Sequence, residues 1–275
     1  VFFGVGASNF VGELGGAGES GRNFVGDLDL NMTRPTFAVG YRYRLSGVTA
    51  WKSTLIYGRL NGDDANSDEL FRKNRNLHFR SPVIELSTQM ELYFLREQAA
   101  GRYRLRGVKS AGKFNLAGYV FTGIGLFWFN PKAKINDEWV GLRNLGTEGQ
   151  GLPGGPDKYS PISIAIPAGI GFKYGIDRRG RWSLGLEFGV RKTFSDYIDD
   201  VSGNYFDNDL IRQENGEIAA LAADPSLGIV TDGDDKPITR AGQQRGDSGD
   251  KDTYMFAILN LNYRFLRKKD NRPKF

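Results

Sequence analysis

The only histidine of the chain, His78, stands in the stretch RNLHFRS, three residues before Ser81. A histidine beside a serine can act as a general base in hydrolysis or acyl transfer when an acid orients its ring. The candidate acids are Asp196, Asp199 and Asp200 of the run DYIDD. Such a set works only with hydrogen-bond geometry that three separate segments do not guarantee, and a lone histidine at a rim ordinarily serves as an interface residue. The chain is therefore read as non-enzymatic, with no catalytic residues. DYIDD and the nearby NYFDNDL offer carboxylates of the kind that hold Ca²⁺, but the spacing of a calcium loop is missing and no metal site is expected. The glycine-rich GGAGESG neither follows a strand nor opens a helix, as a phosphate loop must, and reads as a flexible outer loop. No cofactor, nucleic acid or small-molecule substrate is expected.

The elements that would position these residues are strands. The 275 residues include 37 glycines and no cysteine, and 13% of them are aromatic. The mean hydropathy is −0.42. Glycine at that level suits strands and turns better than helices, where each interior glycine costs roughly 1 kcal/mol. Without cysteine there are no disulfides and no thiolate chemistry. Between 182 and 194, Trp182, Leu184, Leu186, Phe188 and Val190 alternate with Ser183, Gly185, Glu187, Gly189 and Arg191. The same period of two runs through 162–174 and 255–265, and more weakly through 1–11, 35–44, 49–61, 81–94 and 114–130. The uncharged run 114–131 is marginal in length for a membrane helix and has the composition of a strand. Because the chain opens directly on a strand-like pattern, it is read as a mature form whose export signal has been removed.

One face of these strands is bulky and aliphatic; the other mixes glycine with charge. Arg42, Lys52, Glu85, Glu91, Lys173, Glu187 and Arg191 are expected to point inward. A small barrel has room inside for side chains only, which suits glycine and paired charges. The connections run long, short, long, middling, long, short and very long, as short periplasmic turns alternating with outer loops do. The expectation is an all-β fold, an eight-stranded antiparallel transmembrane β-barrel with long outer loops and short periplasmic turns. It would occupy 1–265, followed by a basic periplasmic tail at 266–275. The barrel would be integral to a bacterial outer membrane with both termini periplasmic. A possible short hairpin within the last loop, around 228–240, leaves the strand count open to revision.

Aromatic residues then fall where two membrane interfaces should lie. Tyr43, Trp51, Tyr93, Phe94, Tyr174, Trp182, Tyr263 and Phe265 are expected at the short-turn ends. Phe10, Phe37, Tyr57, Phe79, Trp128, Phe129, Phe194 and Tyr254 are expected at the long-loop ends. Charge also has a side. The connections expected on the periplasmic side carry Arg44, Arg96, Arg102, Arg104, Arg106, Lys109, Lys113, Arg178, Arg179 and Arg181, whereas the last outer loop is rich in aspartate. A basic rim can bind anionic lipid headgroups or an acidic protein face.

Eight stretches together resemble one family: RPTFAVGYRYRL, YGRLNGDDANS, RNLHFRSPVIELS, FTGIGLFWFNPKA, LGTEGQG, IAIPAGIGFKY, GVRKTFSDYIDDVS and GDKDTYMFAILNLNYRF. In this order they are similar to the PorG family of the type IX secretion system, which serves protein export and gliding motility. FNPKA, LGTEGQG and TFSDYIDDVS are the most specific of them. The pattern departs at the tail 266–275 and across 211–246. The resemblance implies a small barrel over the periplasmic ring of PorN and the lipoprotein PorK, with outer-membrane lipid around it. Its role would be to anchor or position that ring. Arg102, Arg104, Arg106 and Lys109, with Arg178 and Arg179, are the residues expected to dock on it. Eight strands are too few to pass a folded cargo, so the translocation pore lies elsewhere.

The residue pattern leaves three alternatives open. They are a structural or adhesion barrel of the OmpA or OmpX type, a rim-catalysing enzyme, and a soluble ligand-binding barrel.

Overall fold

A computed structural model of the chain describes residues 1–12, 14, 32–96, 115–177 and 180–265. The expected tail 266–275 lies outside them. Eight of the described strands form a closed wall: β1 (Phe2–Val11), β2 (Arg34–Arg44), β3 (Thr49–Asp63), β4 (His78–Leu95), β5 (Leu116–Phe129), β8 (Ile162–Gly175), β9 (Trp182–Thr193) and β10 (Thr253–Tyr263). Each pairs antiparallel with its neighbours, in the order β3-β2-β1-β10-β9-β8-β5-β4, and β4 returns to β3. The seam between first and last strands runs from Phe2 opposite Asn262 to Val11 opposite Thr253. The strands reach or exceed the 9–11 residues that cross a bilayer at a tilt. β3 and β4 are the longest and stay paired as far as Asp63 opposite His78, beyond the rest of the wall at the long-loop end.

Alternation decides which face goes where. On β4, Leu86 is 60% exposed while its neighbours Glu85 and Ser87 are buried. The same holds around the wall, with Phe3, Val5, Val39, Leu55, Ile124, Leu184 and Leu259 all facing out. A soluble barrel would be inverted, with its bulky residues inside. An apolar exterior of this extent is stable only against lipid, since each Å² of it costs about 25 cal/mol in water. No described helix is long and apolar enough to cross a membrane; the crossing elements are strands. The barrel is a transmembrane one.

The two rims differ. At one end β2 and β3 are joined by the four residues 45–48, and β8 and β9 by 176–181. At the other end three connections fold over the barrel mouth. The β3–β4 connection carries α1 (Leu70–Arg75); the β5–β8 connection carries a small hairpin of β6 (Lys132–Ile135) and β7 (Glu138–Gly141). The β9–β10 connection carries α2 (Asn208–Asn215) and α3 (Glu217–Ala223). The last connection holds no strand pair around 228–240, only an isolated bridge between Thr231 and Pro237.

Candidate functional site

Inside the wall, charges on different strands meet across the lumen at two heights. Towards the short turns, Arg42 donates from Nε to Glu91 Oε1 at 2.8 Å and from Nη2 to Glu187 Oε1 at 2.7 Å. Lys52 Nζ donates to Glu187 Oε2 at 2.6 Å, and the Tyr119 hydroxyl donates to Glu187 Oε1 at 2.6 Å. Towards the long loops, Glu85 Oε2 accepts from Arg191 Nε at 3.2 Å and from the Tyr254 hydroxyl at 2.9 Å. Arg191 also lies over the ring of Phe256 at 4.6 Å. A charge withdrawn from water is tolerable only when paired and hydrogen-bonded, and these pairs meet that condition. Lys173 lies in the lower group with its ammonium on the Tyr93 hydroxyl. Glycine makes room for the crossing. A Cβ on Gly171 would stand 2.4 Å from Cζ of Tyr119, so only glycine lets that ring pass beneath β8 to reach Glu187.

Around and above the upper pair, aromatic rings fill the lumen. Phe10, Phe79, Phe127, Phe129, Tyr254 and Phe256 belong to one buried cluster. This corrects the expected outer belt, because Phe10, Phe79, Phe129 and Tyr254 point inward; Phe37, Tyr57, Trp128 and Phe194 remain on the outside. Tyr93 needs the same correction. It is 4% exposed, shares the inward face of β4 with Glu85 and Glu91, and packs on Tyr119 at 5.0 Å. Its height in the wall is that of an interface; its parity is that of the lumen. Tyr43, Trp51, Phe94, Tyr174, Trp182 and Phe265 do face outward, and Tyr263 packs between Trp182 and Phe265.

The long-loop cap is a bonded structure of its own. Glu148, in LGTEGQG, is buried and accepts from Arg245 Nη1 at 2.9 Å and from the backbone N–H of Ser202 at 2.9 Å. Arg245 Nη1 also donates to the Asp200 carbonyl at 2.7 Å. Arg75 pairs with Asp64 at 2.7 Å and donates to the Arg245 carbonyl at 2.6 Å, tying α1 to the last loop. Asp200 takes the hydroxyls of Thr147 and Tyr159, both at 2.5 Å. Its φ of 68° is the left-handed conformation that aspartate tolerates better than most residues. Gly149, at φ +76°, is held where a Cβ would meet the Phe206 ring at 2.4 Å. LGTEGQG and TFSDYIDDVS thus fold against each other.

Burial pushes the Asp199 carboxyl up to about 7 and the Asp200 carboxyl up to about 6, the second partly offset by Arg245 and by its two hydroxyl donors. Asp199 accepts backbone N–H groups from Leu14 and Val201. Asp196 accepts from the Ser202 hydroxyl at 2.6 Å. Other aspartates of the acidic loop shape turns and helix starts. Asp207 caps α2, Asp224 accepts from Ser226, and Asp232 accepts from Asp234 and Lys236. Among the described residues, no group of three or more His, Asp or Glu is arranged to hold a metal.

His78 and Asp199 both line an outer cavity of about 260 Å³. The Lys134 backbone N–H donates to His78 Nε2 at 2.9 Å, and the ring meets Trp139 edge-on at 6.4 Å. Ser81 is fully buried on the opposite face of β4, where its hydroxyl accepts from the Asn130 N–H. The structure does not bring the serine, histidine and aspartates together. The proposed docking residues Arg102, Arg104, Arg106, Lys109, Arg178 and Arg179 lie outside the described residues.

Residues 1–219 match the model of a family described as a domain of unknown function, DUF6089. The chain belongs to that family. Comparison with curated proteins finds no match. Among solved structures, this DUF6089 member is similar to Ail, the attachment invasion locus protein of Yersinia pestis, at 8% identity, covering 96% of each chain with a TM-score of 0.40. It is also similar to neisserial surface protein A, at 8% identity over 96% of this chain and 94% of that one, TM-score 0.39. The outer-membrane enzyme PagL follows at 10% identity over 95% and 99%, TM-score 0.33.

Proposed function

We propose that the chain is a non-enzymatic outer-membrane component of a type IX secretion machine, positioning the periplasmic PorK–PorN ring beneath it. The observation that carries the non-enzymatic part is the occupancy of every catalytic candidate. The lone pair of His78 is held by a backbone N–H, Ser81 is sealed in the wall, and the DYIDD carboxylates bond the cap. LGTEGQG and TFSDYIDDVS, which carry much of the resemblance to PorG, therefore read as architecture. Short turns at one end and long loops at the other favour an orientation with the short turns and both termini in the periplasm. The basic residues of that end then face the ring, and Arg102, Arg104, Arg106 and Lys109, with Arg178 and Arg179, are the proposed contacts.

Reversing Arg102, Arg104, Arg106 and Lys109 to glutamate is expected to abolish co-purification of PorK and PorN from solubilised outer membranes. The barrel should keep its heat-modifiable migration on a denaturing gel. Undiminished recovery of the ring would sink the docking assignment. Purification of the unaltered protein free of ring proteins would favour a structural or adhesion barrel of the OmpA or OmpX type, a reading supported by the rigid outer cap.

A further inference from the structure

The short-turn mouth of the barrel contains a cavity of about 390 Å³, within the size range of small-ligand sites. Arg42, Arg44, Lys173, Arg181 and Arg264 line it, and no carboxylate does so among the described residues. The lower lumen group above it holds three cations, Arg42, Lys52 and Lys173, against two carboxylates, Glu91 and Glu187. Arg42 and Lys52 take both glutamates. Lys173 is left with a phenol oxygen and the faces of two rings, Tyr93 at 4.7 Å and Tyr119 at 5.0 Å. Arg44 lies over the same Tyr93 ring at 4.7 Å and has no ion pair among the described residues. Arg181 likewise has no ion pair among the described residues.

We infer that this mouth is a binding site for an oxyanion of the phosphate class. An excess positive charge at the floor of a low-dielectric funnel is costly when uncompensated, and the field that it focuses draws anions inward. Guanidinium groups at the rim match the oxygens of phosphate in pairs, while an ammonium at the floor acts as a point charge. The site is closed above by Arg42, Glu187 and Tyr119, so a ligand enters and leaves by the short-turn side. A folded protein surface cannot reach Lys173; a small ion or a single headgroup can. Two sources present the same oxygens, a soluble phosphate compound and a phospholipid headgroup of the adjoining leaflet. The cavity continues past Tyr43, Trp182 and Phe265, which lie on the lipid side of the wall and give a headgroup its path. The site does not depend on the secretion reading.

The test is calorimetric titration of the purified barrel with pyrophosphate, in zwitterionic detergent at low salt, with heat-modifiable gel migration as the check of folding. Binding is expected, weakened roughly tenfold by the surface pair R44Q/R181Q and abolished by K173Q. Should K173Q fail to fold, the exposed double variant alone decides. No binding by the unaltered protein, or equal binding by the double variant, overturns the proposal. Repeating the titration in phosphatidylcholine nanodiscs with and without phosphatidylglycerol separates the sources. Competition by the anionic lipid assigns the site to a headgroup; indifference to it assigns the site to a soluble phosphate.

Discussion

The two ends of the barrel handle charge in opposite ways. At the long-loop end, Glu148 with Arg245 and Asp64 with Arg75 are buried and matched, and further hydrogen bonds hold them across three loops. At the short-turn end Arg44, Lys173 and Arg181 converge on one cavity that no carboxylate lines among the described residues. Matched buried charge fixes a shape, because losing either partner leaves the other stranded. Unmatched charge beside an opening is a place for something else to bind. One rim is finished by the chain itself, and the other is the one that we propose a ligand completes.

The largest effect on this contrast is expected from stranding the paired cations of the lumen. Glu187→Ala leaves Arg42 and Lys52 with Glu91 alone between them and removes the acceptor of Tyr119. It is expected to destabilise the barrel by about 3–5 kcal/mol, seen as a lower temperature for the gel shift between folded and unfolded forms. An unchanged transition temperature would remove the lumen network from the account of stability.

The cap offers a pH test. Asp199 and Asp200 have carboxyls raised to about 7 and about 6, above the ordinary aspartate value near 3.9. The folded cap thus binds these protons more tightly than opened loops do. Its stability is fully present below about pH 4, declines as pH rises towards about 7, and is level above that. Trp139 lies on the β6–β7 hairpin, so denaturant-induced opening of the cap can be followed by its fluorescence against a Trp139→Phe control. The midpoint should decline as pH is raised from about 4 to about 7, and the slope should flatten in an Asp199→Asn, Asp200→Asn variant. A midpoint that climbs with pH contradicts the assignment.

Smaller effects sharpen the comparison. Gly171→Ala drives a methyl into the Tyr119 ring and is expected to cost about 1–3 kcal/mol, measurable as a lower urea midpoint. Removing surface charge from the short-turn mouth with R44Q/R181Q should move stability by less than about 0.5 kcal/mol. A large loss there would mean that these arginines hold the fold together and are not held open for a ligand.

Much of the wall was legible from the sequence because alternation is a local property. The period-two runs at 162–174 and 182–194 became β8 and β9 almost residue for residue. Parity also placed Glu85, Glu91 and Glu187 on the inner face. Which cation each would meet was not legible: Arg42 and Glu187 stand 145 residues apart, and their meeting depends on closure and stagger. Tyr93 was misplaced because height along a strand was allowed to outrank parity. The inward rings of Phe10, Phe79, Phe129 and Tyr254 were missed for the same reason. The helices of the cap escaped notice because each is short, with six to eight residues. The bonding of LGTEGQG to TFSDYIDDVS joins side chains from two connections, and nothing in either segment alone announces the other. One available signal was the pairing of a buried-type glutamate with glycines able to take positive φ in LGTEGQG.

The seam between β1 and β10 has a consequence for biogenesis. Until Phe2–Val11 meets Thr253–Tyr263, each flanking strand presents an open row of amide and carbonyl groups, and those edges invite pairing with foreign strands. The two partners are separated by nearly the whole chain, so the contact that finishes the wall is also the one with the largest loop to close. Insertion therefore ends with its most non-local step, and a nascent chain needs both edges shielded until its final hairpin arrives.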